Sequence, residues 1–155
     1  TRKTREKLNE APPFKIVWEK YLQFHKKFNP TRSSYKAPIM VGYNIINFDM
    51  PITERLCQKF GPTYKDRGAL FNPIHRYDVF DMFEGYTENN PTITGMKLSD
   101  CAKWMGIKVD ENSLHDALTD VKVCANIFVK LLHLQREVAK QTDFTRAYKD
   151  KELLI

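Results

Sequence analysis

Two short stretches carry residue types suited to metal-assisted hydrolysis: VGYNIINFDMP at residues 41–51 and HDALTD at residues 115–120. In the second, Asp120 offers the carboxylate oxygen that a hard cation such as Mg²⁺ prefers. His115, with an ordinary pKa of about 6.5, can take a proton from an attacking water. Five residues apart on one regular helix, the two would stand about 140° from each other and face different directions. A shared role therefore requires His115 to lie in the approach to a helix, Asp120 in its first turns, and the small Ala117 to leave room between them. The plainer use is a capping Asp116 beside a surface histidine. In the first stretch an apolar strand ends and Asp49 follows as a helix begins. Ligand sites in α/β folds form beyond the carboxyl ends of strands. Capping and the helix macrodipole also explain an aspartate there. Phe48 and Tyr43 read by default as core residues, and Asn44 as a turn residue.

The elements that would position these residues follow from spacing. After the polar residues 1–13, Pro13 opens a helix in which Phe14, Val17, Trp18, Tyr21, Phe24, His25 and Phe28 repeat at helical intervals, and Asn29-Pro30 stops it. Residues 31–38 read as a loop. The unalternating Ile39-Met40-Val41 suits a strand covered on both faces with parallel neighbours. Pro51 permits a second helix with Ile52, Leu56, Cys57 and Phe60 on one face, ended by Gly61-Pro62. Residues 62–75 are loop-like, and Arg76 to Phe80 form a strand or a strand that turns helical near Asp81. The stretch 84–96, rich in Thr, Asn, Gly and Pro, reads as a loop. Ser99 caps a short helix carrying Cys101, Ala102 and Met105, with Gly106 at its end. A long amphipathic helix follows, striped by Ala117, Val121, Cys124, Ala125, Phe128, Leu131 and Leu132. From Arg136 onward the charged remainder reads as a peripheral helix or tail. Strands alternating with helices indicate an α/β layer fold.

The 155 residues suffice for one domain with its own core. At 42% hydrophobic and 28% charged, the chain is of globular rather than disordered composition. No apolar run reaches membrane-spanning length, and no signal peptide is visible, so no membrane partner is expected. Cys57, Cys101 and Cys124 lack metal-ligand spacing and read as buried free thiols, which suits an intracellular compartment, cytoplasmic or nuclear. The net charge of +6 is uneven: residues 1–36 carry +7 and the rest −1. A basic front end on a near-neutral body suits a polyanion partner, or else is a solvated lysine-rich helix face.

The two stretches together resemble the second and third motifs of the DEDDh (DnaQ-like) 3′–5′ exonucleases, a branch of the ribonuclease H-like superfamily. GYN…NFD matches the second motif. His115, Ala117 and Asp120 fit the H-x-A-x-x-D of the third. RYDVFDMF and KLSDCAKWMGIKVDENSLHDALTDV are similar to the text that joins them. The wording is closest to bacterial exonuclease I. GYNIINFD also resembles the proofreading domains of family B polymerases, which carry a tyrosine four residues before the last aspartate, where this chain has Asp116. The resemblance covers roughly residues 11–135, with 136–155 outside it. It implies a ribonuclease H-like exonuclease fold, a mixed central sheet flanked by helices. The family's first motif, Asp-x-Glu on the first strand, has no counterpart in residues 1–40. The expectation is therefore that the chain is the C-terminal portion of an exonuclease domain, inactive and poorly stable without the N-terminal part of that domain.

What the resemblance implies is a two-metal phosphodiesterase. Asp49 and Asp120 would help hold two divalent ions, Mg²⁺ or Mn²⁺, and His115 would serve as base. Asn44 and Phe48 would lie near the terminal nucleotide, and Asp78 would support structure. Lys26, Lys27 and the other front-end basic residues would neutralise substrate phosphates. The expected partner is single-stranded nucleic acid, DNA before RNA. The competing readings are a non-catalytic nucleic-acid-binding or scaffolding domain of the same fold, a polymerase proofreading domain, and a 3′–5′ exoribonuclease.

Overall fold

The computed structural model describes residues 4–31, 33–61, 70–109 and 116–142. His115, the 62–69 part of the expected loop and everything beyond residue 142 lie outside these. The chain divides into two compact units, one ending at Asp78 and the other beginning at Val79.

The first unit starts with a short helix that the sequence reading missed, α1 (Arg5–Asn9), whose N-cap Thr4 hydroxyl accepts from the Lys7 N–H. Helix α2 (Phe14–Phe28) follows Pro13, as its spacing requires. It buries Trp18 and His25. The Trp18 indole donates to the Gly61 carbonyl at 2.9 Å, tying α2 to the end of the next helix. Phe14 meets Phe60 with ring centroids 5.1 Å apart at the same junction. His25 sits edge-on to Tyr21 and Phe71, both at 4.7 Å. Its Nδ1 is buried without a hydrogen-bond partner. Asn29 then clasps Ser33 through both ends of its amide and so ends the helix in a fixed turn. Within the expected loop 31–38, Ser34–Lys36 form a 3₁₀ turn.

Strand β1 (Met40–Gly42) pairs in parallel with β2 (Arg76–Asp78), with Gly42 opposite Asp78. Among the described residues the sheet holds these two strands alone, so its mixed character is not seen there. Two-sided coverage of β1 is corrected: Ile39 and Val41 are exposed, as expected of a strand in so narrow a sheet. Helix α3 (Asp49–Phe60) begins two residues earlier than Pro51 suggested. The first N–H groups of a helix have no partner within it, so Pro51 fits inside the first turn as well as at its start. Ile52, Leu56 and Cys57 are half-buried rather than core.

In the second unit α4 (Val79–Thr87) continues directly from β2, two residues ahead of the expected change at Asp81, and its last turn occupies residues read as loop. Helix α5 (Leu98–Trp104) is preceded by Lys97, not Ser99, as N-cap residue. The Asp100 carboxylate, at the third helical position, accepts the N–H of the N-cap residue Lys97, and Ser99 stands inside the helix rather than capping it. Its C-terminus is closed by Gly106 at φ +67°, with Gly106 N–H bonded to the Lys103 carbonyl and Ile107 N–H to that of Ala102. Helix α6 (Ala117–Gln141) is the long amphipathic element. It runs on to Gln141, into the residues read as a peripheral helix or tail, and so favours the helix over residues 136–141. Its buried line is Val123, Cys124, Ile127 and Leu131, while Val121 and Ala125 are exposed, so the stripe read from the sequence is rotated by about one position. Those residues pack with Val79 and Phe83 of α4 and with Cys101 and Ala102 of α5 into an almost solvent-free core. Cys101 and Cys124 are buried free thiols as expected, whereas Cys57 is half-buried.

Candidate functional site

The turn from Gly42 to Asp49 is built around a residue 34 positions away. The buried Asp78 carboxylate, at the end of β2, accepts the Asn44 N–H at 2.7 Å and the Ile46 N–H at 3.1 Å. Charge-assisted bonds of this kind contribute about 1.5–3 kcal/mol each when buried. They hold Asn44 in the left-handed region, at φ 55°, where asparagine is among the tolerated residues. Its side-chain oxygen accepts from the Asn47 amide at 3.0 Å. Ile45, 4% exposed, folds back over Gly42, where any Cβ would collide with its side chain. Glycine is thus required by space alone.

This turn delivers Asp49 to the first position of α3, beyond the carboxyl end of β1. Phe48 immediately before it is 64% exposed, so it is not the core residue its type suggests. The Asp49 side chain reaches solvent. Partial burial still pushes its carboxyl above the usual aspartate range, the negative charge of Asp78 adds to that rise, and a backbone N–H opposes it. Tyr21 of α2 lies within electrostatic reach: burial first, then Cys57 and Asp49, push its hydroxyl above the ordinary value. Helical spacing marks Tyr21 only as an apolar position, so this neighbour is not legible from sequence.

In the second unit Asp116 is the N-cap of α6, its carboxylate accepting the Thr119 N–H at 3.2 Å. The plain reading of HDALTD is therefore right for Asp116, and capping leaves Asp120 out of that task. Asp120 stands half-buried in the first turn, in line at i+4, i+7 and i+11 with the buried Cys124, Ile127 and Leu131. Its carboxylate lies on the inward edge of the helix at the end where the dipole favours negative charge. His115 lies outside the described residues. Asn44, Phe48 and Asp49 are brought together in the first unit, and Asp120 belongs to the second.

Among the described residues no group of three His, Cys, Asp or Glu side chains is assembled that could hold a metal ion. The donor types nonetheless fit a hard divalent cation: Asp49 and Asp120 offer carboxylate oxygens, and the Asp78 carboxylate is taken up by two backbone N–H groups.

A family model described as the RNase H superfamily matches residues 13–119, more than half of the chain. Its span includes Asn44, Phe48, Asp49 and His115 and stops one residue before Asp120. No curated protein and no solved structure matches the chain.

Proposed function

The chain belongs to the RNase H superfamily, whose members are generally nucleases, and from that premise we propose that it is a metal-dependent 3′–5′ exonuclease. It trims single-stranded DNA from the 3′ end and releases nucleoside 5′-monophosphates. The observation that carries this reading is the Asp49 turn: a carboxylate on the first residue of a helix beyond a parallel strand, clamped in place by Asp78, beside an exposed aromatic ring.

Asp49 and Asp120 would hold divalent cations, Mg²⁺ or Mn²⁺, through their carboxylate oxygens. Such ions, when bound, supply the charge that eases loss of a proton from water and stabilises a leaving oxygen. His115 takes that proton as the water oxygen forms its bond to the terminal phosphorus. The bond from phosphorus to the 3′ oxygen of the preceding nucleotide breaks, and that oxygen leaves as a hydroxyl after gaining a proton from solvent. Phe48 offers its face to the terminal base, and Asn44 borders the same nucleotide.

The test is trimming of a 3′-labelled single strand by the full-length protein with Mg²⁺, with an RNA strand of the same sequence for comparison. Asp49→Ala and Asp120→Ala nearly abolish trimming, and His115→Ala slows it by about 10²-fold or more. Undiminished trimming by all three variants would sink the site assignment. A lack of metal-dependent trimming by the unaltered protein would leave a binding domain of the same fold.

A further inference from the structure

Helix α2 presents a second face that the candidate site does not use. Trp18 and His25 mark its buried side. Around the cylinder from them, Val17, Lys20, Phe24, Lys27 and Phe28 recur three or four residues apart and form one stripe. All five are exposed, Phe24 by 52% and Phe28 by 60%. The two rings meet edge to face with centroids 5.1 Å apart, which covers part of one face, and their exposure leaves the remaining ring surface open to a ligand. Glu19, the one acid of α2, falls outside the stripe on the helical wheel, whereas Lys20 and Lys27 fall within it.

Open ring faces alternating with ammonium groups restrict the occupant. An apolar protein surface would cover the rings but strip water from two lysines without supplying anions, which is costly. A single-stranded nucleic acid satisfies both groups at once, bases stacking on the rings and phosphates meeting the lysines. A duplex does not, because its bases are already stacked on one another.

We propose that this flank of α2 is a single-strand binding platform, with Phe24 and Phe28 stacking bases and Lys20 and Lys27 neutralising phosphates. The choice of a nucleic-acid strand as occupant rests on the exonuclease reading, but the platform lies on a different element from the Asp49 turn and does not require hydrolysis. It also separates the basic residues of the front end by role: Lys20 and Lys27 act here, and Lys15 and Lys26 project from the opposite flank.

The experiment is fluorescence anisotropy of labelled oligothymidylate with the full-length protein in EDTA, so that binding is read without hydrolysis. Phe24→Ala or Phe28→Ala weakens binding about 5- to 100-fold, while Phe24→Trp retains it. The double variant Lys20→Gln with Lys27→Gln makes the slope of log affinity against log salt shallower by about 1.4, and Lys15→Gln with Lys26→Gln makes it shallower by clearly less. Circular dichroism confirms that each variant is folded. Unchanged affinity in the folded phenylalanine variants overturns the platform, as does equal weakening on duplex DNA. A shift in oligomeric mass with affinity intact overturns it too, by showing that protein covers the face. Failure of the exonuclease reading registers separately, as loss of metal-dependent trimming by a protein whose binding still responds to these substitutions.

Discussion

Asp49 and Asp120 both stand in the first turn of a helix, yet the two regions secure them by opposite means. Helix α6 has a local cap: Asp116 takes the Thr119 N–H four residues before Asp120 is reached, and the line of buried residues beneath fixes the face on which Asp120 lies. Helix α3 has no side-chain cap. The turn leading into it is held from β2 by Asp78, through two backbone N–H groups. The first aspartate is thus placed by a tertiary contact, and the second by neighbours in sequence and one packed helix face. Damage to support should therefore be severe at the first and mild at the second.

The largest effects should come from the two aspartates themselves. Asp49→Asn and Asp120→Asn should each lower the hydrolysis rate by about 10³-fold or more while leaving thermal unfolding nearly unchanged, since neither amide opens a cavity. Next come the supports. Asp78→Ala removes two charge-assisted bonds at a buried position and should cost about 3 kcal/mol or more of stability, read from denaturant midpoints, with a large loss of activity. Asp116→Ala removes one exposed cap and should cost only about 1 kcal/mol, with trimming largely preserved. Equal costs would erase the distinction between the two regions.

A smaller effect belongs to the first unit alone. Burial holds the His25 imidazole below its ordinary pKa, partly opposed by a backbone bond at Leu70. Below pH of about 6.5 the unfolded chain binds a proton that the folded chain refuses, so stability falls with pH until the folded value is passed. His25→Phe should flatten the stability curve across that window. An unchanged curve would mean that the buried Nδ1 is not what resists protonation.

The same contrast explains what the sequence made legible. The start of α6, the capping role of Asp116 and the turn role of Asn44 are local matters, and spacing and residue type revealed them. That Asp49 follows a strand and opens a helix was also local. The Asp78 clamp and Tyr21 beside Asp49 join residues tens of positions apart, and no short window of the sequence contains both partners, while the collision that forces Gly42 involves Ile45 three positions on and depends on how the turn folds back. The stripe of α6 was misplaced by about one position because Val121 and Ile127 are both β-branched and apolar. Only the packing of α4 and α5 against α6 decides which of them is buried.

The proposed activity is removal of single nucleotides from a 3′ end with a divalent cation. The measurement that meets it most directly is the product pattern from a 5′-labelled single strand incubated with Mg²⁺. The expected product is a ladder shortened one nucleotide at a time, with nucleoside 5′-monophosphates released and no ladder in EDTA. Internal fragments, release from the 5′ end, or an intact strand in both Mg²⁺ and Mn²⁺ would contradict it.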